Sequence, residues 1–151
     1  MIDRREFCSR ACGVVAVAGL GSVLQGCSGS PTSPTTSAPA LTTINAAINS
    51  GFVSITIDAA SPLASVGGAA LVQTPTGGFL VSRIAQNTFT ALTATCTHEG
   101  CTITGFQSPN YVCPCHGSMF TASGSVAQGP ATQSLRSFPT QFTNNVLTIS
   151  T

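Results

Sequence analysis

Charge is scarce in this 151-residue chain. There is no lysine, and five arginines stand against four acidic residues. Asp3, Arg4, Arg5, Glu6 and Arg10 crowd into the first ten positions, so from residue 27 onward only Asp58, Arg83, Glu99 and Arg136 remain. A chain so poor in cations lacks the electrostatic footprint that phosphate backbones require, which excludes nucleic acid as a partner. It also has little net charge for steering a partner over distance. Membrane-length apolar runs are missing as well: Ala11 to Leu24 covers 14 residues, short of the roughly 20 a spanning helix needs. Helical periodicity is nearly absent after residue 41, apart from a weak helical turn expected at 43–48, so a helix bundle is excluded. The length suits one domain of about 100 residues with extra segments, not two full domains.

What is present begins with an N-terminal targeting segment. Arg4-Arg5-Glu6-Phe7 followed by the apolar run reads as a twin-arginine export signal over residues 1–26. The run closes on Leu24-Gln25-Gly26-Cys27, which resembles a bacterial lipobox and makes Cys27 the candidate lipidation site. Residues 28–40 hold four Ser, three Thr and three Pro with no large apolar side chain. Such a composition cannot offset its ordering entropy by burial, so 27–40 is expected to be an extended tether. The resulting expectation is a lipoprotein exported by the twin-arginine route and held to the membrane on the periplasmic side.

From residue 41 to 151 the pattern is that of strands. Val53, Ile55 and Ile57 alternate with polar neighbours, as a half-buried strand requires. Two apolar runs flank Thr74-Pro75-Thr76-Gly77-Gly78 as a hairpin, and further short strands are expected at 102–106, 111–113, 119–121, 133–138, 141–143 and 146–150, with a turn at Asn144-Asn145. The fold class is therefore all-β, an antiparallel sandwich or small barrel. Arg83 and Arg136 read as solvated strand residues, and Phe52, Phe79, Phe89, Phe106 and Phe138 as core.

The chemistry is concentrated between Cys96 and Ser118. Four of the seven cysteines and both histidines lie there, in Cys96-Thr97-His98-Glu99-Gly100-Cys101 and Cys113-Pro114-Cys115-His116-Gly117-Ser118. Fourteen residues separate His98 from Cys113, and two loops that each offer soft donors can hold one metal centre between them. A zinc site of two cysteines and two histidines is an alternative use of the same donors, although zinc modules usually pair Cys-x-x-Cys with His-x-x-x-His. Two plain disulfides in an exported domain are another, and they leave both histidines without a reason. Covalent haem needs Cys-x-x-Cys-His, and Cys113-Pro114-Cys115-His116 is one residue short.

These two loops resemble those of the Rieske iron-sulfur family, in the disulfide-containing form found in cytochrome bc complexes. The likeness extends through Gly124 to Ala131, which is similar to that family's proline loop, and to Leu135. It implies an all-β, Rieske-like fold of small antiparallel sheets over 41–151, with a cluster-binding subdomain at 94–121. It further implies one 2Fe-2S cluster held by Cys96 and Cys113 on one iron and His98 and His116 on the other, with Cys101 and Cys115 joined as a disulfide. Ser118 stands where high-potential members aim a hydroxyl at a bridging sulfide, and Phe120 where they carry a tyrosine. Gly100 and Gly117, lacking Cβ atoms, are expected to bring their N–H groups close to the cluster.

Two imidazoles in place of two thiolates make the site less negative and raise its potential to about −150 to +300 mV, against about −400 mV for an all-cysteine ferredoxin. Each imidazole keeps a second nitrogen at the surface, so electron uptake is expected to be coupled to proton uptake, with His116 as the candidate quinol contact. The expected function is one-electron transfer as the iron-sulfur subunit of a quinol-oxidising, cytochrome bc-like complex. The second hypothesis is a free periplasmic carrier, or the small subunit of a molybdenum oxidase such as arsenite oxidase. Partners are thus redox proteins, cytochromes of b or c type or a molybdenum subunit, and a quinol. Stand-alone catalysis is not expected, because no residues remain for a mononuclear iron domain.

Overall fold

The computed structural model describes residues 38–151. The export signal, Cys27 and most of the tether lie outside those residues. Among the described residues every regular element is a strand, and thirteen of them form three sheets.

The central layer is a five-stranded sheet built from β1 (Thr42–Asn45), β4 (Ala69–Thr74), β5 (Gly77–Ala85), β6 (Thr88–Thr93) and β11 (Ser137–Phe138), in the order β1-β4-β5-β6-β11. Its pairings are antiparallel except β1 with β4, which run parallel. On one face lies a four-stranded sheet in the order β12-β13-β3-β2, comprising β12 (Thr140–Thr143), β13 (Val146–Ser150), β3 (Phe52–Thr56) and β2 (Ile48–Asn49). Between these two sheets Val53, Ile55, Leu147 and Ile149 meet Val72, Phe79, Val81 and Phe89 in one core. On the other face Leu71, Leu80, Leu92 and Ala94 pack against Ile103, Tyr111 and Phe120 in a second core, which also takes in Cys96 and Cys113. Since the central sheet is covered on both sides, β5 reads as a continuous apolar run, Phe79-Leu80-Val81, where a one-sided strand would alternate.

The third sheet carries the loops. Its order is β10-β9-β8-β7, from β7 (Gly105–Gln107), β8 (Asn110–Val112), β9 (Met119–Phe120) and β10 (Val126–Gln128). Loop 1 leaves the end of β6 and is pinched at its base by the Thr95–Thr102 bridge, while loop 2 is the connection between the paired strands β8 and β9. Both loops therefore project from one end of one subdomain.

Several expectations are corrected. The turn of helix expected at 43–48 is instead β1 and β2, because Ile44 and Ile48 pack at the margin of the first core while their neighbours face solvent. Residues 133–136 are not a strand: this stretch crosses over loop 1, and only Ser137–Phe138 joins a sheet. Phe52 is 47% exposed, since it falls on the outward phase of β3. Arg83 is not a free solvated residue. Its guanidinium lies over Phe89 and Phe142 and donates to the carbonyls of Leu63, Ala64 and Gln86, tying the 61–67 loop to β5. Ala40, at the end of the stretch read as tether, bridges Gly105, and Pro39 accepts a hydrogen bond from Phe106 N.

Candidate metal centre

The two loops are the same turn used twice. In loop 1 Cys96 N donates to Cys101 O at 2.8 Å and Gly100 N to Cys96 O at 2.9 Å; in loop 2 Cys113 N donates to Ser118 O at 2.8 Å and Gly117 N to Cys113 O at 3.1 Å. Gly100 and Gly117 share a φ of 74°, the left-handed region that a residue with a Cβ enters at a cost. This corrects the expected role of the two glycines. Their N–H groups are committed to closing the loops, and the positive φ is what requires glycine.

The paired turns set the cysteines in two environments. Cys101 and Cys115 are joined as a disulfide, with 6.5 Å between their Cα atoms, so the loops are cross-linked at their tips. Cys96 and Cys113 are free thiols, each only 2% exposed. Burial pushes the Cys113 thiol above its ordinary range, and the neighbouring Cys96 adds to the effect. Binding a metal there would displace the thiol protons. Two plain disulfides do not form: Cys101 and Cys115 are bonded, while Cys113 stays free although its sulfur lies within 4.8 Å of both of theirs.

On the outer side of the thiols sit His98 and His116, both exposed, with ring centroids 5.0 Å apart and planes at 88°. The Glu99 carboxylate comes within 3.7 Å of His116 Nδ1. The structure thus places Cys96 beside Cys113 in the core and His98 beside His116 at the surface, each loop giving one member of each pair.

The segment after β9 lies across both loops. Gln128 Nε2 donates to Gly117 O at 3.4 Å, Thr97 Oγ1 donates to Gln133 O at 2.6 Å, and Ala131 N donates to Ser118 Oγ at 3.0 Å. Ser118 is fully buried, and accepting from Ala131 leaves its own proton to donate inward. Ser118→Ala strands the buried Ala131 N–H and should cost about 1–3 kcal/mol in the cluster-free domain. Thermal unfolding checks this, and an unchanged midpoint would mean that the N–H finds water.

A scan of family models matches residues 60–139 to the Rieske 2Fe-2S domain. The chain belongs to this family. Relatives include a ubiquinol-cytochrome c reductase iron-sulfur subunit of Blastochloris viridis, 46% identical over 54 residues, covering 34% of this chain and 30% of the relative. The cytochrome b6-f complex iron-sulfur subunit of Pisum sativum is 48% identical over 46 residues, 30% of this chain and 20% of the relative. The chain thus spans less than a third of either relative's length. Among solved structures, the plasma membrane Rieske protein PetC3 of Synechocystis PCC 6803 is 33% identical with a TM-score of 0.50, covering 56% of this chain and 87% of that one. Naphthalene 1,2-dioxygenase, at 16% identity and a TM-score of 0.53, shares the fold.

The Rieske domain is a one-electron carrier whose cofactor is a 2Fe-2S cluster. The residues present fit that group: two reduced, buried thiols are spared from the disulfide beside them, and the same two loops each contribute one exposed imidazole to a close pair. A zinc site would give no reason for cross-linking the loops.

Tyr111 is fully buried, its hydroxyl makes no well-formed hydrogen bond, and burial raises its pKa well above the usual phenol range, with the nearby Ser82 hydroxyl offsetting part of the rise. Its ring packs against Phe106 at 5.2 Å under loop 2. It is a packing residue, and no sequence signal distinguishes it from a ligand-bonding tyrosine.

Proposed function

We propose that Cys96 and Cys113 hold one iron and His98 and His116 the other, and that the domain passes single electrons as the iron-sulfur subunit of a quinol-oxidising, cytochrome bc-like complex. The observation that carries this is the segregation of donors, with thiols buried and imidazoles exposed between two loops joined by Cys101–Cys115. The bound cluster supplies one-electron storage at the potentials that two imidazoles permit. The chain's own residues do the rest. The buried thiolate side keeps water out, the disulfide holds the loop tips in register, and the exposed imidazole edge is where a partner can approach within electron-transfer distance, with His116 as the quinol contact. The likeness to subunits named for ubiquinol-cytochrome c reductase and the cytochrome b6-f complex supports this reading. A second reading, a periplasmic carrier or the small subunit of a molybdenum oxidase, is favoured by the Glu99 carboxylate on the tip, since an apolar quinol pocket would strip its hydration without replacing it. In either case export by the twin-arginine route and lipidation of Cys27 would hold the domain near the membrane on the periplasmic side.

Anaerobic redox titration followed by electron paramagnetic resonance tests the centre. A reduced-state signal with average g below 2 is expected, and colourless protein with one zinc and no acid-labile sulfide would sink it. Recovery of a cytochrome b with the tagged protein separates the two readings.

Phe120 is fully buried on β9 opposite Tyr111. Phe120→Tyr is expected to raise the potential, because a hydroxyl reaching a cysteine ligand stabilises the more negative, reduced state. A differential of about 1 kcal/mol corresponds to roughly 40 mV for one electron. Film voltammetry showing no rise would mean that the hydroxyl points elsewhere.

A further inference from the structure

Only Asp58, Arg83, Glu99 and Arg136 carry formal side-chain charge among residues 38–151. Arg83 donates to three carbonyls and lies over two aromatic rings, and Asp58 lines the same cleft as Arg83. Arg136 sits over the Phe138 ring at 4.6 Å. Glu99 is different. Its side chain is 60% exposed, its only ion-pair neighbour among the described residues is His116 at 3.7 Å, and its carboxylate lies within 4.8 Å of a ring nitrogen of each exposed imidazole, His98 and His116.

We propose that Glu99 is the docking charge of the electron-transfer tip, and that it selects a redox protein whose electron-exchange face is ringed by lysine or arginine. The proposal rests on the one-electron reading above. The two thiolates leave the reduced centre itself net negative, and Glu99 adds a second negative charge at its exposed rim, so the attraction acts at the place where the electron crosses. It also rejects an acidic face by like-charge repulsion at the same place. In the encounter one electron leaves the reduced domain and one ferric haem of the partner becomes ferrous, with no bond formed or broken.

The test uses the full, cluster-loaded protein and a basic, lysine-rich c-type cytochrome as the probe. Stopped-flow reduction of the ferric cytochrome should slow as ionic strength rises toward about 0.15 M. Glu99→Gln should lower the low-salt rate by about fivefold, one unit-charge contact in water, and make the salt dependence shallower. Glu99→Lys should weaken the salt dependence further than Glu99→Gln does, and Asp58→Asn should match the parent protein. Zero-length carbodiimide cross-linking should join Glu99 to a cytochrome lysine and fail in Glu99→Gln. Equal rates and salt slopes for the parent and Glu99→Gln, or an adduct that survives the substitution, would overturn the proposal. A normal resonance signal with no salt dependence would sink the docking role alone, whereas absence of the signal would sink the electron-transfer reading beneath it.

Discussion

Cys113→Ser is expected to give a folded protein with no visible colour and no reduced-state resonance signal. Cys113 lies at the base of loop 2, is 2% exposed and adjoins Cys96, and its backbone closes the loop through Ser118 and Gly117. Serine keeps the volume and leaves the backbone bonds intact, so the fold should survive. What it removes is a soft thiolate, which iron-sulfur sites select over oxygen donors. Losing a donor outright should exceed the roughly 10–100-fold loss of affinity seen when only a ligand's hydrogen-bonding partner is removed. Iron and acid-labile sulfide analysis alongside circular dichroism separates lost cluster from lost fold. Iron retained at the parent level would show that Cys113 is not a ligand.

Replacing both members of the disulfide, Cys101→Ser with Cys115→Ser, should have the next largest effect, and on stability more than on loading. The bond closes a loop with a sequence separation of 14, for which chain entropy gives about 3 kcal/mol. In a domain of this size that lowers the unfolding midpoint by roughly 10 °C. The loops lose their only covalent tie, leaving the hydrogen bonds from Gln128, Thr97 and Ala131 to hold them together. The double variant should still take up a cluster, since the four proposed donors remain, but should bleach faster in air. Calorimetry and the decay of visible absorbance read the two effects. An unchanged midpoint and bleaching rate would mean that the overlying 128–133 segment is the real clamp.

The site was more legible than the scaffold. Ligand chemistry depends on which side chains occur at what spacing, and Cys-x-His with Cys-x-x-His, together with two spare cysteines, is specific in a way that strand patterns are not. The hairpin turn at Asn144-Asn145 was also readable, because both residues adopt positive φ, 52° and 61°, as a tight two-residue turn requires. Element assignments failed where burial was set by a distant segment. Ile44 and Ile48 mimic a helical spacing yet belong to separate strands, and Arg83 is drawn inward by carbonyls of a loop some twenty residues earlier. The two loop glycines illustrate a subtler miss. Their identity pointed to close approach, whereas the backbone shows them spending their N–H groups on loop closure.

By itself the sequence determined the donor set, the all-β class, the near-neutral head and the position of Glu99 beside a histidine, because each of these is a matter of residue type and local order. The resemblance already implied that Cys101 pairs with Cys115 and spares Cys96 and Cys113, and the structure agrees; only the tertiary structure decided that the thiols are buried while the imidazoles face solvent. That outcome depends on how two loops, separated by strands β7 and β8, are stacked against the central sheet, and no spacing rule encodes the direction in which a side chain finally points.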